Sequence, residues 1–338
     1  MSAKGADPLS PAEVDALLQP LLNAKTLLIA VSGGPDSTAL LVMAAEWAAR
    51  SGARIAAATV DHGLRPASAA EAQTVAALSA KLGVPHTTLV WKGVKPSTRL
   101  QERARDARYR LLVEHARAIG ADAIATAHHA DDQAETILFR LIRGSGVAGL
   151  AGMAAMSERD GMTIARPLLA VPKRDLVAFC RLRKLPFADD PSNADPRFAR
   201  PRLRAILDRL GEEGLNAEGL VRLARRAAEA DAALERMTAE VEARLGAEGP
   251  IDAKALFAEP IAIVQRTLAR RIAAAGARDE SRIGLEKIEA LALGLRDALA
   301  AGRPLAANVG GALVRLGADG RLSFGREPRR RQAAVHNE

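Results

Sequence analysis

The chain has 338 residues, 49% of them hydrophobic and 26% charged, long enough for two domains because single cores rarely grow past roughly 250–300 residues. No apolar run approaches the roughly 18 residues of a membrane span, and the opening MSAKGADPLS lacks the profile of a secretion signal, so a cytoplasmic protein with no membrane partner is expected. One cysteine, Cys180, excludes an intramolecular disulfide and a cysteine-held zinc or iron–sulfur site. The formal charge is +8, with 28 Lys+Arg against 21 Asp+Glu in residues 1–210 and 20 against 19 thereafter. The basic surplus of the first part gathers in Arg99–Arg110 and Arg197–Arg209, a distribution suited to a polyanion.

In chain order, Pro11–Leu22 reads as a helix and Thr26–Val31 (TLLIAV) as a central strand. Further strands are expected at Ile55–Val60, His86–Val90 and Ala123–Ala127, with helices at Ser37–Arg50, Ala69–Leu82, Leu100–Ile119 and Asp131–Arg143. This alternation predicts an α/β fold, a Rossmann-like doubly wound parallel sheet covered on both faces. Thr163–Leu168 is expected to add an edge strand and Lys173–Leu185 a helix, and the Pro-, Asp- and Asn-rich stretch 186–201 a loop before a basic helix. Residues 1–214 form the first domain on this reading. A linker helix over 215–248 follows, then a mostly helical domain over 249–325 that ends in a β-hairpin around Gly317–Gly320, and a basic tail over 326–338 expected to be disordered.

Ser32-Gly33-Gly34-Pro35-Asp36-Ser37 stands between the first strand and its helix. Two glycines allow a sharp turn and close approach to a ligand, and proline suits the first helical turn. The open N–H groups and helix dipole then make an anion site. No lysine follows the glycines, so this is not the GxxxxGK[ST] loop. Asp36 would repel phosphate there unless a cation intervenes, which points to Mg²⁺. Asp61 and His62, in VDHGLR, end the second strand at the edge where doubly wound sheets bind ligands. HHADDQAET (128–136) ends the fourth strand. Its Asp132 and Glu135 are three apart on a helix and share a face able to grip an ammonium group, whereas Asp131 reads as a helix cap. His128 and His129 have no evident third metal ligand and are read as shaping the pocket.

SGGPDS resembles the PP-loop of ATP pyrophosphatases, of the adenine nucleotide α-hydrolase-like kind. Taken with VDHGLR, HHADDQAET and DPSN (190–193), the chain resembles the tRNA(Ile)-lysidine synthetase family, strongly over roughly residues 26–205. The resemblance implies ligation of L-lysine to C2 of the wobble cytidine of an isoleucine tRNA with a CAU anticodon, through an adenylated cytidine and with release of AMP and pyrophosphate. It implies ATP contacts from Ser32 to Ser37 and from Asp61 and His62, and Mg²⁺ at Asp36. On the same resemblance Asp132 and Glu135 are expected to hold lysine, and Arg108, in ARDARY, to steady charge on the leaving group. Arg200 and Arg204 match the family's basic pair near nucleotide and tRNA, and Arg140, Arg143 and the second domain are expected to help clasp the anticodon stem. Pro201 stands where the family usually has Asn. A homodimer is compatible with this reading. The alternatives are a PP-loop cytidine thiolase, which the single cysteine disfavours, and a small-molecule ATP pyrophosphatase, which the arginine clusters disfavour. A non-catalytic RNA-binding protein is disfavoured by the intact acidic and arginine set.

Overall fold

The computed structural model describes residues 9–63, 68–93, 95, 98–188, 199–246, 249–276 and 283–327, without the side chains of residues 199–201. By contacts the chain divides into two compact units, residues 1–144 with 149–225, and residues 145–148 with 226–338. Among the described residues no helix is long and apolar enough to cross a membrane.

The first unit is organised around β1 (Thr26–Ala30), whose Leu27, Leu28 and Ile29 are fully buried. Each such side chain contributes roughly 1.5–3 kcal/mol by leaving water. Strands β2 (Arg54–Asp61) and β3 (His86–Val90) lie on one side of β1. On the other side lie β4 (Ala123–Ala125) and the antiparallel pair β5 (Met156–Arg159) and β6 (Met162–Ala165). The order is β3-β2-β1-β4-β6-β5, parallel except for β5. The expected edge strand near Thr163 is therefore internal, and the edge belongs to β5. That strand is polar (MSER) and half-exposed, so it carries no apolar signal, as an edge strand allows.

Strand alternation divides the core between the two faces. Leu27 and Ile29 join α1 (Pro11–Leu18), α2 (Pro35–Ser51), α3 (Ser68–Lys81) and, further along the chain, α7 (Lys173–Leu182) in one cluster. Leu28, Ala58, Ile124 and Ile164 instead pack against Tyr109, Leu112, Val113 and Ala116 of α4 (Leu100–Ala118). Helix α1 is shorter than expected and passes into a single 3-10 turn, Gln19–Leu21, because Pro20 lacks the N–H that an α-helix needs. Helix α5 (Ala130–Ile142) follows β4, and α6 (Val147–Leu150) is a single turn. Ala134 and Ile137 of α5 cluster with Leu220 and Ala224, with Leu207 packed against them; these come from α9 (Ala217–Leu245) and α8 (Ala199–Glu212).

The second unit has its own core, formed by β7 (Ile251–Asp252), α10 (Ala253–Phe257), α11 (Ile261–Gly276), α12 (Leu285–Ala300), β8 (Leu305–Val309), β9 (Ala312–Leu316) and β10 (Arg321–Arg326). The expected hairpin turn at 317–320 joins β9 and β10. The hairpin is extended, however, into an antiparallel sheet of order β7-β10-β9-β8. Gly310 and Gly311, both at positive φ, make the second turn, which lets β8 pair with β9. Within this unit Arg266 and Arg270 of α11 pair with Asp231, Glu235 and Glu242 of α9.

Helix α2 starts at the turn after β1, where Gly33 has φ +89° in the region that disfavours any Cβ. Gly33→Ala is expected to lower stability by about 1–2 kcal/mol, read from the urea midpoint; an unchanged midpoint would show that the turn relaxes.

Candidate functional site

Strand order places the chemistry. The chain leaves β1 towards β2 and β3, then returns to the other side of β1 as β4, so the order reverses between β1 and β4. Ligands of doubly wound sheets bind outside the carboxyl ends at such a reversal. With Ile29 in register with Ala125, the SGGPDS turn after β1 and the HHADD turn after β4 open side by side.

The first turn is held by its own hydroxyls. The Ser32 N–H donates to Ser37 Oγ (3.0 Å), and Ser37 Oγ donates to the Gly34 carbonyl (3.1 Å). The Ala188 N–H, from the segment after α7, donates to the Gly33 carbonyl (2.8 Å). Gly34 is the N-cap of α2, and no side chain caps it, so the helix N-terminus is open to an anion. Asp36 Oδ1 is buried without a hydrogen-bond partner.

The second turn is built on His129, the N-cap of α5, which is 2% exposed. Its Nε2 lies 3.5 Å from Asp36 Oδ2 and 3.4 Å from Asp132 Oδ2, and its Nδ1 lies 3.6 Å from Asp131 Oδ2. The Asp132 N–H is 3.4 Å from Nδ1, a contact that a neutral ring would accept. Three surrounding carboxylates favour the cation instead. Burial alone would push the imidazole down, but the bonds to Asp131 and Asp36 and the charges of Asp132 and Asp36 outweigh it and raise it to about 9. Asp131 is correspondingly held down at about 2, first by His129 and also by the Lys173 N–H. That bond, Lys173 N to Asp131 Oδ2 at 2.9 Å, adds to the expected role of Asp131, which stands in the first turn of α5 and also caps the first turn of α7.

The rest of the motif is also engaged. Burial pushes His128 down to about 3, helped by the charges of Arg105, Arg166 and Arg108 and opposed by Asp132. Its Nδ1 lies 2.9 Å from Thr126 Oγ1. Buried Gln133 fixes the following loop through Met153 N–H and C=O, at 2.7 and 2.9 Å. Glu135, 2% exposed, accepts from Arg204 Nε. Arg204, expected at nucleotide and tRNA, is therefore turned onto an acid expected at lysine.

At the end of β2, Asp61 accepts from the Ser68 hydroxyl (2.7 Å) and the Gly63 N–H (2.8 Å), which hold its carboxyl below the usual range and shape the start of α3. Burial, then the charges of Arg108 and Lys95, pushes His62 down. Its Nδ1 is buried without a hydrogen-bond partner, and Trp91 meets it edge-on at 5.8 Å. The charge of Arg108 thus reaches both His62 and His128. Arg140, expected to meet RNA, uses its Nη1 on the carbonyls of Gly149 and Gly152 (2.9 and 2.7 Å), because a half-buried guanidinium needs acceptors. Arg143 is exposed, with its guanidinium 4.1 Å from the Phe139 ring centre. The side chains of Arg200 and Pro201, and Leu64, Arg65, residues 190–193 and the tail beyond 327, lie outside the described residues. Cys180 is a core residue whose Sγ donates to the Pro35 carbonyl, and burial pushes its thiol up to about 12.

His129 is the residue whose role the sequence did not reveal. Its signal was a histidine followed at two and three positions by aspartates, which a helix start folds back onto the ring.

Because His129 is raised to about 9 from about 6.5, its contribution to stability is complete below pH 6.5 and lost as pH rises through 9. Unfolding free energy across that window is expected to decline more in the unchanged chain than in His129→Gln; parallel curves would show the ring to be neutral.

Residues 8–210 match the family model described as a PP-loop domain. A tRNA(Ile)-lysidine synthase of Rhodopseudomonas palustris is 48% identical, covering 98% of this chain and 99% of its own. One of Methylobacterium sp. (strain 4-46) is 48% identical over 97% of each. Among solved structures, the U34-tRNA thiolase NcsA of Methanococcus maripaludis, with its 4Fe–4S cluster, is similar with a TM-score of 0.55 at 19% identity. It covers 65% of this chain and 78% of that one, a likeness of fold alone.

Proposed function

The chain belongs to the tRNA(Ile)-lysidine synthase family, and we propose that it attaches free L-lysine to C2 of the wobble cytidine in an isoleucine tRNA with a CAU anticodon. In the first half-reaction the cytosine C2 oxygen attacks the α-phosphorus of ATP and pyrophosphate leaves. In the second the lysine ε-amine attacks C2, and the C2–O bond breaks to release AMP. The observation that carries the reading is the meeting of Asp36, from the phosphate turn, and Asp132, from the acidic turn, on one nitrogen of His129. A triphosphate on the first turn and an ammonium group on the second would then lie beside the same base.

The open N-terminus of α2 receives phosphates through Ser32–Ser37. The residues fit Mg²⁺ through Asp36, whose Oδ1 is a buried oxygen without a hydrogen-bond partner. Asp36 would be the protein's ligand to such an ion, with phosphates and water supplying the rest of its shell. When bound, the ion neutralises phosphate charge. Arg108, facing the ends of β2 and β4, steadies the departing pyrophosphate and AMP. Asp61 and His62 border the nucleotide.

Lysine is an ammonium near neutral pH, with a pKa of about 10.4, and must lose a proton before it attacks. His128, at about 3, is too weak a base, and His129, at about 9, already carries its proton. Asp132 and Glu135 are left to hold the ammonium and pass its proton to water, with Arg204 orienting Glu135. Residues 1–214 are the catalytic domain, α9 is the linker, and residues 249–325 contact the tRNA together with Arg143, Arg200 and the outward part of Arg140.

Asp36→Ala is expected to cut tRNA-dependent pyrophosphate release by roughly 100-fold or more with tRNA affinity nearly unchanged; undiminished release would remove its role. Glu135→Gln is expected to raise the KM for lysine roughly tenfold or more while adenylation falls less; equal loss in both half-reactions would contradict the lysine assignment.

A further inference from the structure

A second basic feature lies on the same sheet edge, away from the phosphate turn. A cavity of about 320 Å³ between α4 and the β5–β6 hairpin is lined by Arg105, Tyr109, Ser157, Glu158, Arg159 and Arg166. Arg105 and Tyr109 are four apart and share a face of α4. The guanidiniums of Arg105 and Arg159 lie 5.2 and 4.6 Å from the Tyr109 ring centre.

Two polar groups here lack partners. Tyr109 is 2% exposed, and its hydroxyl has no hydrogen-bond partner. Arg166 donates through Nη1 to the Ala154 carbonyl (2.8 Å) and Ser157 Oγ (2.9 Å), which fixes the guanidinium, while its buried Nε bonds to nothing. Buried donors without acceptors are costly, and an anionic oxygen relieves both. The acids present set the charge of the guest. Asp106 (2.8 Å) and Asp160 (3.9 Å) both pair with Arg159, Glu158 is exposed at the rim, and Arg108 adds a guanidinium 5.7 Å from the Tyr109 ring centre, so four guanidiniums against three carboxylates leave about one positive charge. That balance suits a phosphodiester, which carries one negative charge, better than the several charges of a triphosphate.

Location narrows the guest further. Arg166 follows β6, which pairs with β4, and the Thr126 N–H donates to the Ala165 carbonyl (2.9 Å). The cavity therefore adjoins the strand end that carries His128, whose imidazole the charges of Arg105 and Arg166 help to keep neutral. We propose that this cavity binds a backbone phosphodiester of the single-stranded RNA segment that carries the reacting base. The proposal rests on an RNA substrate, as in the function proposed above. Tyr109 and Arg166 Nε donate to the phosphate oxygens, and Arg105 and Arg159 supply the charge.

The test measures affinity of the full chain for a tRNA(Ile) transcript with a CAU anticodon from low to moderate salt, together with the KM for ATP and thermal stability. Arg105→Gln is expected to weaken RNA binding roughly tenfold and to reduce the slope of log affinity against log salt by about 0.7, as for one lost single-strand phosphate contact. Tyr109→Phe is expected to weaken binding while thermal stability holds or rises, since it removes a buried group that has no partner in the free protein. The KM for ATP stays unchanged in both. Unaltered affinity and salt slope in both variants would overturn the proposal, as would a raised KM for ATP with RNA binding intact, which would give the cavity to the nucleotide. Nucleoside analysis of the unchanged chain separates the two readings. If no lysidine forms while Arg105→Gln still loses salt slope, the proposed reaction fails and the cavity assignment stands.

Discussion

Three carboxylates crowd one buried imidazole where β1 and β4 end, and the first unit's chemistry depends on how that charge is balanced. Asp36 comes from α2, Asp131 and Asp132 from α5, and each lies within 3.6 Å of a ring nitrogen of His129. Acids this close repel one another, and a buried charge is stable only when paired. A protonated His129 meets both demands. It ties the helix that opens on the phosphate turn to the helix that carries the acids. Asp131 extends the tie to α7 through the Lys173 N–H, and α7 in turn leads to Ala188, which bonds back to Gly33.

The sheet supplies the geometry for this arrangement. A reversal of strand order between β1 and β4 brings together two turns almost one hundred residues apart in sequence, and the fully buried Leu27, Leu28 and Ile29 fix β1 between them. Neighbouring charges divide the labour of the two histidines. His129, among acids, holds its proton. His128, buried and facing arginines, does not. Adjacent residues are thus pushed in opposite directions, and neither is left as a base near neutral pH.

Much of this was legible in the residues. TLLIAV is apolar because β1 is buried on both faces, and glycines beside a helix start marked the phosphate turn. What escaped depends on contacts distant in sequence. Asp131 looks like a local cap alone until α7 is seen to begin on it as well. Arg140 looks like a surface cation until the carbonyls at 149 and 152 are placed around it. Strand β5 is too polar to stand out, and the sheet of the second unit exceeds its hairpin because paired glycines at 310–311 turn the chain once more. His129 reads from the sequence as a pocket residue, but spacing along one strand says nothing of Asp36 arriving from another helix.

The most direct measurement is a titration of the His129 ring nitrogens by NMR, with the resonance assigned by comparison with His129→Gln. The expected result is an imidazolium that persists through pH 8 and titrates near 9. A ring that is neutral at pH 7, or that titrates at or below 6.5, would contradict the bridge between the phosphate turn and the acidic turn.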